Sequence, residues 1–320
     1  MMRPSPQLDQ RAFAAQLERH RRELQVHCYR MLGSYEDSED LVQETFLRAW
    51  RARGRFGSDG RTSFRAWLYR IATNACLDVL RRRRRRVMPP DVAPAADPVA
   101  PIPPPADLPW LQSYPDRLLE PAAPSEEEPG AVIVARETIE LAFIAAIQHL
   151  PPRQRAVLLL RDVVGSSASE ASELLDTSVA SVNSALQRAR ATLRDRLGER
   201  RAEWTRTSTP SEEERELLRR FVDAHEGSDP TALAALLRDD VRLVMPPHPT
   251  WFDGREAVMA AAIQGFDPAF GKLRTLAVAA NRPTSRRALP ETTRRRRPPR
   301  AGHRRTPDRR RRHRRNHVVR

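Results

Sequence analysis

Apolar positions recur at spacings of three, four and seven through most of the first 200 residues, and this periodicity predicts helices. Over 7–32, Phe13, Leu17, Leu24, Cys28 and Met31 form one stripe, ended by Gly33 and Ser34. A second helix follows, with Asp37 or Ser38 as its cap and Glu39 and Asp40 at the positive end of its dipole. Leu41, Val42, Thr45, Phe46, Ala49 and Trp50 make its inner face, leaving Glu39, Asp40, Gln43, Glu44 and Arg48 outside it. After a loop between Gly54 and Gly60, Ser63 caps a third helix. Phe64, Trp67, Leu68, Ile71, Ala75, Val79 and Leu80 point inward there, and Arg65, Tyr69, Arg70, Thr73, Asn74 and Asp78 point elsewhere. Six consecutive arginines, Arg81 to Arg86, extend its C-terminal end, where cations suit the dipole.

Thirteen prolines between 87 and 130 leave little room for regular structure. One island, LPWLQSYPD at 108–116, carries two aromatics and predicts docking onto a surface or channel. Periodicity resumes over 131–150 with Ile139, Phe143 and Ile147, and Leu150-Pro151-Pro152 separates this helix from the next. Two short helices then follow across a tight turn: 167–175, Asp176–Thr177, and 178–196. This is a helix-turn-helix pattern. In its last helix Val179, Val182, Leu186, Leu193 and Leu197 face the core. Ser181, Ser184 and Arg188 lie opposite, flanked by Ala185 and Gln187, and Arg190 falls near the core edge.

Beyond residue 210 the pattern mixes periods. Ser211 with Glu214 reads as a capping box, opening a helix that contains Leu217, Leu218, Phe221 and Val222. A helix over 231–237, a strand over 241–245, a helix over 255–263 and a strand over 273–280 complete an α+β reading. After Asn281 aliphatic periodicity disappears, and 282–320 is not expected to supply strands to a core.

Charge changes the picture mainly by its location. Of 56 basic and 41 acidic residues, 17 arginines and two acids lie beyond residue 281, so the preceding residues hold 39 of each. The basic excess belongs to the tail and cannot by itself argue that the folded part binds DNA. Two cysteines, Cys28 and Cys76, exclude a four-cysteine zinc site and suit a reducing compartment better than a disulfide scaffold. No signal-like N-terminus and no run approaching about 20 apolar residues is present, so a soluble cytoplasmic protein without membrane contact is expected.

Each candidate site has a plain reading beside the functional one. The acidic helix face is either an ordinary solvated face or a protein-docking face. The arginine run is either solvated linker charge or a phosphate clamp, each contact displacing counterions. The helix pair is either a simple hairpin or a duplex reader, in which an Arg188–guanine pair would contribute about 1–3 kcal/mol of discrimination. His248 and Asp253 read as loop residues rather than an acid–base pair, since nothing fixes their geometry. No cofactor, metal or catalytic set is expected.

Three motifs in order then resemble a known family. DSEDLVQETFLRAW, FRAWLYRIATNACLDVLRRR and the stretch from LPPRQRAVLLL to SVNSALQRARATL are similar to the extracytoplasmic-function group of sigma factors of bacterial RNA polymerase, over about residues 10–200. The resemblance implies a mainly α chain of two helical sigma domains, 7–86 and 131–200, joined by a Pro-rich linker over 87–130. It also implies binding to core RNA polymerase and promoter DNA. Asp40, Gln43 and Glu44 would contact the polymerase clamp. Arg65, Tyr69, Arg70 and Asn74, with Arg81 and Arg82 beside them, would contact the opened minus-ten strand. Ser181, Ser184, Gln187 and Arg188 would sit in the minus-thirty-five major groove, and the linker would follow the RNA-exit path. The 108–116 island and MPP…WFDG at 245–254 resemble a subgroup with a C-terminal SnoaL-like cone, here partial over 211–281 and acting in cis on the sigma domains, with any small ligand unknown. The tail, 282–320, is expected to be disordered, an out-of-frame reading of GC-rich DNA, or a polybasic arm. A helix-turn-helix regulator that does not bind polymerase, and a SnoaL-type enzyme, are the alternatives.

Overall fold

The computed structural model describes residues 6–56, 63–115, 141–197, 212–267, 275–277 and 290–292. The first unit comprises α1 (Pro6–Arg19), α2 (Arg21–Leu32), α3 (Tyr35–Ala52) and α4 (Phe64–Arg82). The expected single helix over 7–32 is broken at His20, whose backbone N–H bonds Leu17 O. The next helix starts earlier than expected: Ser34, not Asp37 or Ser38, is its cap, accepting from Asp37 N at 3.2 Å. Gly33 holds φ +67°, closing α2 where a Cβ would meet Leu111 Cδ1 at 2.6 Å. Phe13, Trp50, Phe56, Phe64 and Trp67 pack edge-on or tilted at one end.

The second unit comprises α5 (Leu141–Gln148), α6 (Pro152–Leu158) continuing as a π turn over Leu159–Val163, α7 (Ala168–Leu174) and α8 (Val179–Leu197). Ser167 and Glu170 form a reciprocal capping box at the start of α7. Asp176 at φ 48° makes the turn to α8. Ile139 lies outside the described residues. Val179, expected in the core, is 43% exposed at the first position of the helix, whereas Val182 is buried.

The two units share one core. Helix α2 touches α5 and α6, and α4 touches α6 and α7. Arg155 of α6 is buried between the units. It donates to Met31 O, to Gln148 Oε1 at 2.6 Å and to Gln148 O at 2.8 Å.

The linker is ordered by capping this junction. Leu111 N bonds Val87 O at 3.0 Å, Val87 N bonds Pro109 O at 3.0 Å, and Gln112 N bonds Gly33 O at 3.0 Å. The island lies against the chain's own helices, through Leu111 and the fully buried Tyr114 rather than Trp110. Tyr114 packs between Tyr29 and Tyr35, whereas the Trp110 indole turns back onto Ala106 O at 3.2 Å.

The C-terminal part comprises α9 (Glu212–Glu226), α10 (Pro230–Leu236), β1 (Arg242–Val244), β2 (Trp251–Asp253) and α11 (Arg255–Gly265). Ser211, the expected cap, lies outside the described residues. Strands β1 and β2 pair antiparallel, with Leu243 opposite Phe252. A second pair joins β3 (Thr275–Ala277) to β4 (Pro290–Thr292), Leu276 opposite Glu291. The stretch beyond residue 281, not expected to supply strands to a core, contributes one three-residue strand, paired with β3. Three residues need no aliphatic face to pair, and Pro290 sits at a strand start, where its missing N–H is tolerated. The remainder of 282–320 lies outside the described residues.

Candidate nucleic-acid interface

Helix α4 carries the residues expected to meet opened DNA, and the structure sorts them. Arg70 and Asn74 are exposed on one face. Arg65 is half-buried and donates from Nε to Glu23 Oε2 at 2.8 Å, while its guanidinium lies 5.0 Å from the Tyr69 ring centroid. Tyr69 is 4% exposed, and its hydroxyl donates to the same Glu23 oxygen at 3.2 Å. The expectation that Tyr69 points away from the core is therefore corrected. Its ring fills the space between α2 and α4 against His27, with centroids 4.9 Å apart. Thr73 is likewise buried, 2.9 Å from His27 Nε2. A wide α4 contacts α3 on one side and α2 on the other, so a single-stripe periodicity understates its buried arc.

Glu23 organises this cluster. Burial alone would raise its carboxyl pKa, but the His20 hydrogen bond and the Arg65 charge outweigh burial and hold it below its ordinary value. Tyr69 is raised, first by burial and then by the Glu23 charge, so the phenol stays protonated. His27 is pushed down to about 3 by burial and then by the Arg30 charge, and is neutral. Sequence reasoning missed Glu23; its place on the inward edge of α2, facing α4, is visible only once the helices cross.

The arginine run divides. Arg81 stays on the helix and donates to Asp78 Oδ1 at 2.8 Å; Arg82, its last residue, is exposed. From Arg83 the backbone is extended. Arg83 Nη1 donates to Asp37 Oδ1 at 2.6 Å, and Arg86 Nη2 donates to Asp37 Oδ2. Arg86 Nη1 also reaches Trp110 O at 3.2 Å, and Arg85 contacts His149 of the second unit. In this arrangement Arg83 and Arg86 are tied to Asp37 of the same unit, and Arg85 is the one of the three that reaches the second unit.

On α8 the side chains of Ser181, Ser184, Gln187 and Arg188 are all exposed along one stripe, while Val182, Ala185, Leu186 and Ala189 are buried beneath it. Small residues at the N-terminal half permit close approach to base edges. Arg190 is occupied: its Nε and Nη2 meet the two Asp162 oxygens at 2.9 and 2.6 Å.

On α3, Asp40 and Gln43 are exposed. Glu44 is half-buried and accepts from Arg48 Nε at 2.8 Å.

The C-terminal part reaches the linker through a set of hydrogen bonds. Trp251 Nε1 donates to Ala93 O at 2.9 Å and Gln264 Nε2 to Pro98 O at 2.6 Å. His248 Nδ1 lies 2.7 Å from Pro103 O. Linker amides return the contact, Ala96 N to Trp251 O at 2.8 Å and Ala106 N to Pro247 O at 2.9 Å. Asp253 pairs with Arg242 at 2.8 Å, so His248 and Asp253 do not converge.

Residues 17–86 match the Sigma-70 region 2 family and residues 140–193 match Sigma-70, region 4. The chain is 44% identical over 273 residues to the ECF RNA polymerase sigma factor SigG of Mycobacterium tuberculosis, covering 84% of this chain and 71% of that protein. It is 31% identical over 189 residues to the ECF RNA polymerase sigma factor SigW of Bacillus subtilis, covering 59% of this chain and 90% of that one. Among solved structures, the Mycobacterium tuberculosis extracytoplasmic function sigma factor SigJ aligns at 20% identity with a TM-score of 0.48, over 84% of this chain and 81% of that chain.

Proposed function

We propose a division of labour that starts from the family to which the chain belongs, the extracytoplasmic-function sigma factors of RNA polymerase. The chain directs core polymerase to promoters and assists initiation. The residues that do so are our assignment. Asp40 and Gln43, with Glu44 at the edge, form the polymerase-facing side of α3. Arg70 and Asn74, with Arg65, Arg81 and Arg82 around them, receive the opened strand, since held unstacked bases need cationic and polar partners together. Tyr69 supports Arg65 from below. Ser181, Ser184, Gln187 and Arg188 read duplex.

The observation that carries this reading is exposure of three separate polar faces on a shared core, one per expected contact. Initiation in vitro with core polymerase, followed by start-site mapping, tests it; no defined start sites would sink it. Pull-down of core polymerase with Asp40→Ala and Glu44→Ala chains separates it from a regulator that does not bind polymerase.

We read the C-terminal part as a regulator in cis, a SnoaL-like module without catalytic work. His248 is committed to a linker carbonyl and Asp253 to Arg242, which supports a binding role over acid–base chemistry. Its hydrogen bonds to linker residues 93–106 support restraint of the segment joining the two DNA readers. Deletion after Arg200 is expected to change promoter output while start sites stay the same; unchanged output removes the regulatory role. No described helix is long and apolar enough to cross a membrane. We place the chain in the cytoplasm, where its polymerase partner works.

A further inference from the structure

We propose that Asp37 occupies, as an internal stand-in for phosphate, an anion clamp formed by Arg83 and Arg86, and that DNA backbone phosphate exchanges with it as the two units open. The inference rests on the DNA-binding role proposed above.

The geometry is specific. Asp37 sits in the first turn of α3, with its side chain 17% exposed. Each of its two oxygens receives a different guanidinium, Arg83 on Oδ1 and Arg86 on Oδ2. Burial would push its carboxyl pKa up, but the hydrogen bonds from Arg83 and Arg86 outweigh burial and hold it below its ordinary value, so the stand-in stays anionic. Two arginines converging on two oxygens of one anion is the arrangement that also holds a phosphodiester.

The clamp is wired to the closed arrangement. Arg86 shares its other nitrogen with Trp110 O, and Val87, next in the chain, exchanges backbone hydrogen bonds with Pro109 and Leu111. Leu111 in turn seals Gly33 and the interdomain core. Arg85, between the clamp residues, contacts His149 of the second unit. A phosphate that draws Arg86 away therefore removes an anchor of the linker. By linkage, whatever opens the linker also exposes the clamp, and the coupling is reciprocal. Asp37 would then set the basal DNA affinity of the closed chain without touching DNA itself.

The test uses the full-length chain and a duplex lacking any promoter, titrated across salt concentrations. Asp37→Asn is expected to raise affinity several-fold and to steepen the dependence of log K on log salt by about one to two, the release expected for one or two new phosphate contacts. Glu39→Gln removes the same charge from an exposed position of the same helix. If the two variants behave alike, the effect is net charge and the proposal is overturned. Adding Arg83→Ala and Arg86→Ala to Asp37→Asn should cancel the gain; persistence of the gain also overturns it. In the unaltered chain, saturating duplex should speed hydrogen exchange at the Val87 and Leu111 amides; unchanged exchange overturns the coupling even if the Asn variant folds poorly. Failure of every form to bind duplex removes the clamp but leaves the polymerase reading to its own transcription assay.

Discussion

Gln148 grips Arg155 twice, taking Nη1 on its side-chain oxygen at 2.6 Å and Nη2 on its backbone carbonyl at 2.8 Å. With Met31 O and Leu150 O as further acceptors, both terminal nitrogens of a buried guanidinium meet carbonyl-type oxygens between the two units, while its Nε has no acceptor among the described residues. Burial lowers its pKa to about 10, which still leaves it charged at neutral pH.

Arg155→Leu should therefore cost about 2–4 kcal/mol in chemical denaturation, because several buried carbonyls lose their donor while the leucine restores only part of the volume. Arg155→Lys should recover part of this loss. A cost below about 0.5 kcal/mol would show that water replaces the guanidinium.

His27 predicts acid sensitivity. Its folded pKa, about 3, lies below its ordinary value of 6.5. Stability is full above pH 6.5 and is lost as pH falls toward 3, since the unfolded chain binds the proton first. Between pH 6.5 and 5 the loss should approach about 2 kcal/mol, at about 1.4 kcal/mol per unit. His27→Gln should flatten that segment of the pH profile, read by denaturant unfolding.

Linker anchoring should follow burial and not aromaticity. Tyr114→Ala should cost about 3 kcal/mol and Leu111→Ala about 2–3 kcal/mol, while Trp110→Ala should cost distinctly less. Gly33→Ala should destabilise as well, through both its φ of +67° and the clash with Leu111. Equal effects at positions 110 and 114 would argue against the docking described.

On the duplex face, Arg188→Ala should weaken promoter binding by about 1–3 kcal/mol and relax base preference at one position, measured by competition against single-base promoter variants. Arg190→Ala should leave base preference unchanged and lower stability slightly, because Arg190 forks onto Asp162 on an exposed surface.

The helices themselves were largely legible in the chain. Leu24, Cys28, Leu68, Val182 and Leu186 are buried where their spacing put them, because a 3.6-residue period carries local information about one inward face. The small polar stripe of Ser181, Ser184, Gln187 and Arg188 was legible for the same reason. Other positions were not. Tyr69 and Thr73 read as outward because periodicity allots each helix one stripe, whereas α4 is enclosed by neighbours on more than one side.

The sequence by itself determined the helical units, the helix-turn-helix, the proline-rich connection and the family, all properties of local period and residue order. Tertiary structure alone decided which polar groups meet. Asp37 and Arg86 are 49 positions apart, Glu23 and Arg65 are 42, and Gln264 and Pro98 are 166. Such pairings depend on where helices cross and where a linker is laid down, and no local period encodes that distance. The run Arg81–Arg86 shows the difference: composition offers six equivalent cations, and the fold gives Arg81 to Asp78, Arg83 and Arg86 to Asp37, and Arg85 to the neighbouring unit.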